Sequence, residues 1–259
     1  MSETLTITQA REAQGLRLMT VPRVPTPWAE AAKGFLHLKE LEYRSFVESP
    51  GDESGLLLAW TGQTSKPVLA WNDEPPATGW SEILHLVERL RPEPRLIPAD
   101  RRERIVTFGL SHEICGEMGF GWAFRLLMFA DAFSDAPTKP FPRRAAENLA
   151  PKYHWSEGML SLAKPRLIEI LATLDTVLAA QHAAGRNHLV GESLSAADVY
   201  WACFCALLRP LPDALCPMLE IIRESYCIYD DEVDAALSPR LLEHRDFVYE
   251  TYLELPVRW

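Results

Sequence analysis

The chain has 259 residues, of which 47% are hydrophobic and 24% charged, and its formal net charge is −10. That length suits one large domain or two modest ones, and that composition suits a packed globule. The acidic balance excludes the basic footprint that non-specific nucleic-acid binding requires.

In chain order, the apolar run 16–21 (LRLMTV) reads as a buried strand. A proline-dense turn follows and ends in Thr26-Pro27-Trp28. The stretch 28–41 then places Ala32, Phe35 and Leu38 at helical spacing. Residues 42–47 (EYRSFV) alternate and are rich in strand formers, which predicts a second strand. A short helix is expected over 55–60, a third strand over 67–71 and a helix over 80–90. Three prolines in ten residues mark 91–100 as a linker.

Beyond it the pattern is helical. Ile105, Phe108, His112, Cys115, Gly119, Trp122, Leu126 and Phe129 recur at gaps of three and four, which predicts one long helix over 101–131. Residues 136–144 form a proline-broken loop, and Pro165 suits the first position of a further helix. Helices are also expected over 195–208, 212–227 and 238–252. The glycines at 109, 116, 119 and 121 would permit a kink or a close helix approach, as at a dimer contact.

The five cysteines, Cys115, Cys203, Cys205, Cys216 and Cys227, are odd in number and scattered. They read as free buried thiols in a reducing compartment. No run of 18 apolar residues exists, and residues 1–15 lack the apolar segment of a signal peptide, so no membrane span and a cytoplasmic location are expected. There is no Walker loop and no HExxH pair. The glycines of GEMGFG (116–121) have the wrong spacing for a dinucleotide fingerprint. Cys203 and Cys205, two apart on a helix, make a poor metal pair. No metal site is expected.

The strongest local signal is LVGESLSAADVYWACF at 189–204. Ser195 and Asp198 form the two halves of a capping box, and Leu194 and Val199 the ends of a hydrophobic staple. The string Leu189-Val190-Gly191-Glu192 followed by Ser195-Ala196-Ala197-Asp198 resembles the capping-box region of the glutathione transferases. Residues 88–104 look like their interdomain linker, and Pro67 matches their cis-proline. The resemblance spans nearly the whole chain. It implies an α/β, thioredoxin-like domain over 1–92 followed by an all-helical domain over 100–259. It further implies a glutathione-dependent transferase with glutathione as co-substrate, a small hydrophobic electrophile as the second substrate, and a homodimer. Conjugation, ether cleavage and isomerisation all fit. The rival is a catalytically silent binding or scaffold protein of the same fold.

By the same resemblance, Thr26 stands where a Ser, Tyr or Cys contacts the glutathione sulfur. Its bland reading is a helix N-cap with Pro27 at the first helical position. Lys66, before Pro67, would offer its backbone N–H and C=O to the cysteinyl part of glutathione, as an added strand. The alternative is an ordinary trans proline opening a strand. Ser81 is the match for the carboxylate ligand of the γ-glutamyl end, or else a plain helix cap; Trp80 occupies the place of the expected acid. Trp28 either packs or lines the electrophile pocket. His112 is either a satisfied core residue or faces that pocket. Arg125 either reaches the cleft or is solvated or ion-paired. Residues 132–156 and the tail 253–259 are additions that would act as lids.

Overall fold

The computed structural model describes residues 4–48 and 55–258. The first ninety residues run β1 (Leu5–Thr6), α1 (Ile7–Glu12), β2 (Leu16–Met19), α2 (Pro27–Leu38), β3 (Arg44–Val47), α3 (Gly55–Thr61), β4 (Val68–Trp71) and α4 (Trp80–Leu90). The strands form one sheet in the order β1-β3-β2-β4. β3 lies parallel to both β1 and β2, while β4 pairs antiparallel with β2. Parallel neighbours need a crossover, and α2 supplies it between β2 and β3. Ala29, Ala32, Phe35 and Leu36 of α2 are buried, as are Ile83, Leu84 and Val87 of α4. This is the thioredoxin-like unit that the sequence predicts.

β1 and α1 are additions to that expectation. A two-residue strand carries no readable alternation. The helix did carry a local signal, Thr6-x-x-Gln9: Thr6 Oγ1 accepts from the Gln9 N–H at 3.2 Å, and Gln9 Oε1 accepts from the Thr6 N–H at 2.8 Å. A buried arginine ties this extension to the central strand. Arg17, 1% exposed, donates to the carbonyls of Ala10 (2.9 Å), Gly15 (2.6 Å) and Asn72 (2.9 Å).

The chain divides into two units, one running to Arg95 and the other spanning Leu96–Arg258. The second contains α5 (Arg101–Cys115), α6 (Phe120–Phe133), α7 (Arg143–Leu149), a 3-10 turn (Ala150–Tyr153), α8 (Glu157–Ala183), α9 (Ala196–Cys205), α10 (Glu220–Ser225), α11 (Asp231–Ala236) and α12 (Pro239–Tyr252). Every residue of α9 is buried, and α5 and α12 pack against it. Its start follows the predicted box: Asp198 accepts from the Ser195 N–H at 2.8 Å and from the Ser195 hydroxyl at 2.7 Å.

The single helix expected over 101–131 is two helices. Its break is made by Gly116, whose N–H closes on the His112 carbonyl at 2.8 Å, and by Gly119, which bonds to the Gly116 carbonyl at 3.0 Å. A Cβ on Gly119 would lie 2.7 Å from the carbonyl oxygens of both His112 and Glu113, backbone that cannot yield. The three-and-four spacing continues across this break by accident, so it misplaces the buried face of α5. That face is Thr107, Leu110, Ser111, Ile114 and Cys115, while Ile105 is 65% exposed and His112 is exposed.

Three other boundaries also differ. α8 starts at Glu157, with the Ser156 hydroxyl accepting from the Met159 N–H at 3.2 Å, and carries Pro165 inside it. The helix expected over 212–227 shrinks to Glu220–Ser225, because Pro217 cannot donate within a helix. α11, capped by Asp230, was hidden in an acidic stretch without apolar spacing.

The segment 132–156 is docked rather than loose. Tyr153 packs on Phe129 and Trp122 at ring distances of 5.5 and 4.8 Å, and Trp155 on Phe133 at 5.3 Å. The tail is likewise fastened: Val257, 6% exposed, donates to the Leu215 carbonyl at 2.8 Å. Residue 259 lies outside the described residues. Among those described, all five cysteines are free thiols, four of them buried, and no helix is long and apolar enough to cross a membrane.

Candidate functional site

The register of β2 against β4 pairs Met19 with Val68. The chain leaving β2 and the chain entering β4 therefore meet at one end of the sheet. The crossover sets the start of α2 at that same end, because the helix runs back along the strands it joins. Between them the chain turns through Arg23 (φ +59°), and the Thr26 N–H bonds to the Val24 carbonyl at 2.8 Å. The peptide before β4, Lys66–Pro67, is cis. Beyond β4 the chain turns back and Ala77 pairs with Leu69 through two bonds of 2.9 Å. Antiparallel pairing then carries Thr78 and Gly79, and with them the start of α4, to the Val68 end. Three features thus share one end of the sheet: the N-termini of α2 and α4, and the cis peptide. Helix N-termini present N–H groups and partial positive charge, a setting that favours anions.

Thr26 is the N-cap residue of α2 by backbone (φ −68°, ψ 131°), and its carbonyl accepts from the Glu30 N–H at 2.9 Å. Its side chain makes no cap bond. Thr26 Oγ1 is buried and has no hydrogen-bond partner. The N-cap reading therefore holds for the position but not for the hydroxyl. An orphaned buried hydroxyl costs free energy unless something pairs with it. A thiolate is a suitable acceptor for it, so this observation fits glutathione as a ligand.

The Lys66 ammonium pairs with Glu48. Among the described residues the Lys66 N–H and C=O make no hydrogen bond within the chain, which leaves a strand edge for a peptide-like ligand. Ser81 is not a helix cap, which corrects one of its two readings. The cap of α4 is Gly79, and Ser81 follows at the second helical position. Glu82 does the capping, accepting from the N–H groups of Thr78 and Gly79 at 2.9 Å each. Those two bonds hold its carboxyl below the ordinary glutamate value.

Trp28, at the second helical position of α2, is half-buried. His112 belongs to the second unit, near the end of α5. Its exposure removes the core reading, because a buried ring would have had to sit on the Ser111–Cys115 face. Sequence reasoning missed Glu30. This carboxylate in the first turn of α2 is 8% exposed, pairs with Lys33 at 2.9 Å, and is pushed upward in pKa by burial against the pull of that lysine. Its spacing four residues after Thr26 was the available signal. Among the described residues no cluster of His, Cys, Asp or Glu would hold a metal.

This sheet, with helix starts gathered around a cis-proline and an all-helical unit following, is the fold of the glutathione transferases. Solved structures with that fold cover most of the chain. One is a glutathione S-transferase from Methylobacterium radiotolerans in complex with glutathione sulfonate, 19% identical over 91% of this chain and 91% of that one, with a TM-score of 0.59. Another is a rice glutathione S-transferase in complex with glutathione, 19% identical over 95% and 94%, TM-score 0.58. A beta-etherase from Sphingobium sp. strain SYK-6 is 18% identical over 90% and 100%, TM-score 0.54. No family model matches the chain, and no curated protein matches it in sequence.

Proposed function

We propose that the chain is a glutathione-dependent transferase in which the end of the sheet around Thr26 and Lys66–Pro67 seats glutathione, with a small hydrophobic electrophile as second substrate. In this reading Lys66 pairs through its backbone with the cysteinyl unit, Ser81 receives the γ-glutamyl carboxylate, and Thr26 donates its hydroxyl hydrogen to the sulfur. The step needs a thiolate, whose free thiol titrates near about 8.5. A hydroxyl donor and the N-terminus of α2 both stabilise the anion. The sulfur then bonds to the electrophilic carbon while the leaving group departs with the electron pair, or it bonds to one carbon of a double bond while the π pair moves to the other, which takes a proton from water. Ether cleavage and isomerisation begin from the same thiolate. Trp28 is proposed to line the electrophile pocket. The domains are taken as 1–92 and 100–259. The reading includes a cytoplasmic setting, which the unpaired thiols support, and a homodimer, to which the exposed Ile105 and Val106 would offer an apolar face.

The observation that carries this reading is the buried, partnerless Thr26 hydroxyl at the end of the sheet that also holds the cis Lys66–Pro67 peptide. Thr26→Val removes the hydroxyl and keeps the shape. The bound thiol pKa, read from thiolate absorbance against pH, is expected to rise by about 1–2 units, the worth of one hydrogen bond to a charged group. Stability is expected to stay level or rise slightly, because no cap bond is lost; loss of a working cap would instead cost about 1 kcal/mol. An unchanged thiol pKa would remove Thr26 from the chemistry. The silent-protein reading draws its support from the start of α4, where the nearest acid, Glu82, is committed to Thr78 and Gly79.

A further inference from the structure

The helical unit holds a buried cation that no acid neutralises. Arg125 on α6 is 6% exposed. Among the described residues it forms no ion pair, and the readings of it as solvated or ion-paired both fail. Its Nη1 lies 3.1 Å from the Met128 sulfur, a weak acceptor. Its Nη2 donates to the Tyr226 hydroxyl at 3.3 Å, and the guanidinium carbon lies 5.6 Å from the centre of that tyrosine's ring. Nε is buried with no partner. Tyr153, whose hydroxyl also hydrogen-bonds to the guanidinium, and Tyr229 complete the charge's surroundings. Asp131, the one acid on α6, is taken up by the N–H groups of Thr138 and Lys139 and by the Thr138 hydroxyl.

An arginine stays charged at any physiological pH, and a buried charge without a counter-charge is costly. Neutral phenols and a thioether offset that cost only in part. The open Nε–H, with the Tyr226 O–H whose oxygen already accepts from the guanidinium, leaves two donors for one planar anion. The walls are aromatic: Tyr229 stands edge-on to Phe124 at 5.7 Å, and Tyr153 is tilted on Trp122 at 4.8 Å. Such walls suit an organic body better than a hydrated inorganic ion.

We propose that Arg125, caged by Tyr153, Tyr226 and Tyr229, anchors a binding site in the helical unit for a small aromatic carboxylate. Entry requires the short segment carrying Tyr226 and Tyr229 to open. The test is titration of the full chain, free of glutathione, with benzoate, benzyl alcohol and inorganic phosphate, followed by calorimetry and by melting temperature. Benzoate is expected to bind one to one and raise the melting temperature, and the other two to do neither. Arg125→Met is expected to weaken benzoate binding by about ten- to a hundredfold. Arg125→Lys, which keeps the charge but loses the Nε–H and the planar fork, decides the matter if the methionine variant does not fold; it is expected to lose about tenfold. Equal binding by parent and variant would overturn the proposal. So would no benzoate binding by the parent, or a tyrosinate absorption band at neutral pH, which would mean that the cage neutralises its own arginine.

Discussion

Asp198→Ala is expected to lower the unfolding free energy by about 3–5 kcal/mol, the range for removing one partner from a fully buried, hydrogen-bonded carboxylate site. The carboxylate is wholly buried. Oδ1 accepts from the Leu189 N–H at 2.7 Å and lies 2.9 Å from His244 Nε2; Oδ2 accepts from the Ser195 N–H and hydroxyl. One side chain thus joins the 189–195 turn, the start of α9 and the middle of α12. Its removal leaves several buried donors unpaired, each with a desolvation cost of its own. Burial alone would raise the Asp198 pKa, but His244, the Leu189 N–H and Ser195 outweigh it and hold it below the ordinary aspartate value. A lowered folded-state pKa stabilises the fold above the unfolded value and ceases to do so as pH falls through the folded one. The contribution should therefore be whole above about pH 4 and be lost on further acidification. Denaturant unfolding across that range would show the acid limb in the parent and a shallower one in Asp198→Asn. A loss below 1 kcal/mol for the alanine variant would show that the turn and α12 hold without it.

The second large effect concerns Lys39. Its side chain is fully buried, paired with Glu88, and donates to the carbonyls of Pro92 at 3.2 Å and Pro94 at 2.6 Å. The end of α2, the end of α4 and the proline-rich stretch after it are thereby gathered on one ammonium. Glu88→Gln strands that charge in the interior and is expected to cost about 3 kcal/mol or more. Lys39→Met should cost less, since Glu88 is 14% exposed and water can reach the carboxylate oxygen that Lys39 releases. Equilibrium unfolding of the two variants side by side reads the order directly. The reverse order would mean that the carbonyl bonds, not the ion pair, carry the interaction.

These two residues also show what a sequence can disclose. The Ser195–Asp198 box was legible because both partners lie within one turn, as were Thr26 at a helix entrance and Pro67 before a strand. His244, forty-six residues from Asp198, left no trace in the pattern. Nor did Glu88 opposite Lys39, or the tyrosines around Arg125, because only the fold brings them together. The break at Gly116–Gly119 was concealed for a different reason. Apolar spacing reports one helix face only while the helix is continuous, and here the gaps matched across two helices with separate registers. At the candidate site the positions were legible and the hydrogen bonds were not. The orphaned Thr26 hydroxyl and the capping of α4 by Glu82 instead of Ser81 depend on side-chain geometry that spacing does not encode.

The proposed seat for glutathione at one end of the sheet is tested most directly by titrating the isotope-labelled full chain with glutathione and following the backbone amide resonances. The proposal expects saturable shifts at Thr26, Lys66 and Ser81 together. No saturable change, or changes that leave these three amides untouched, would contradict it.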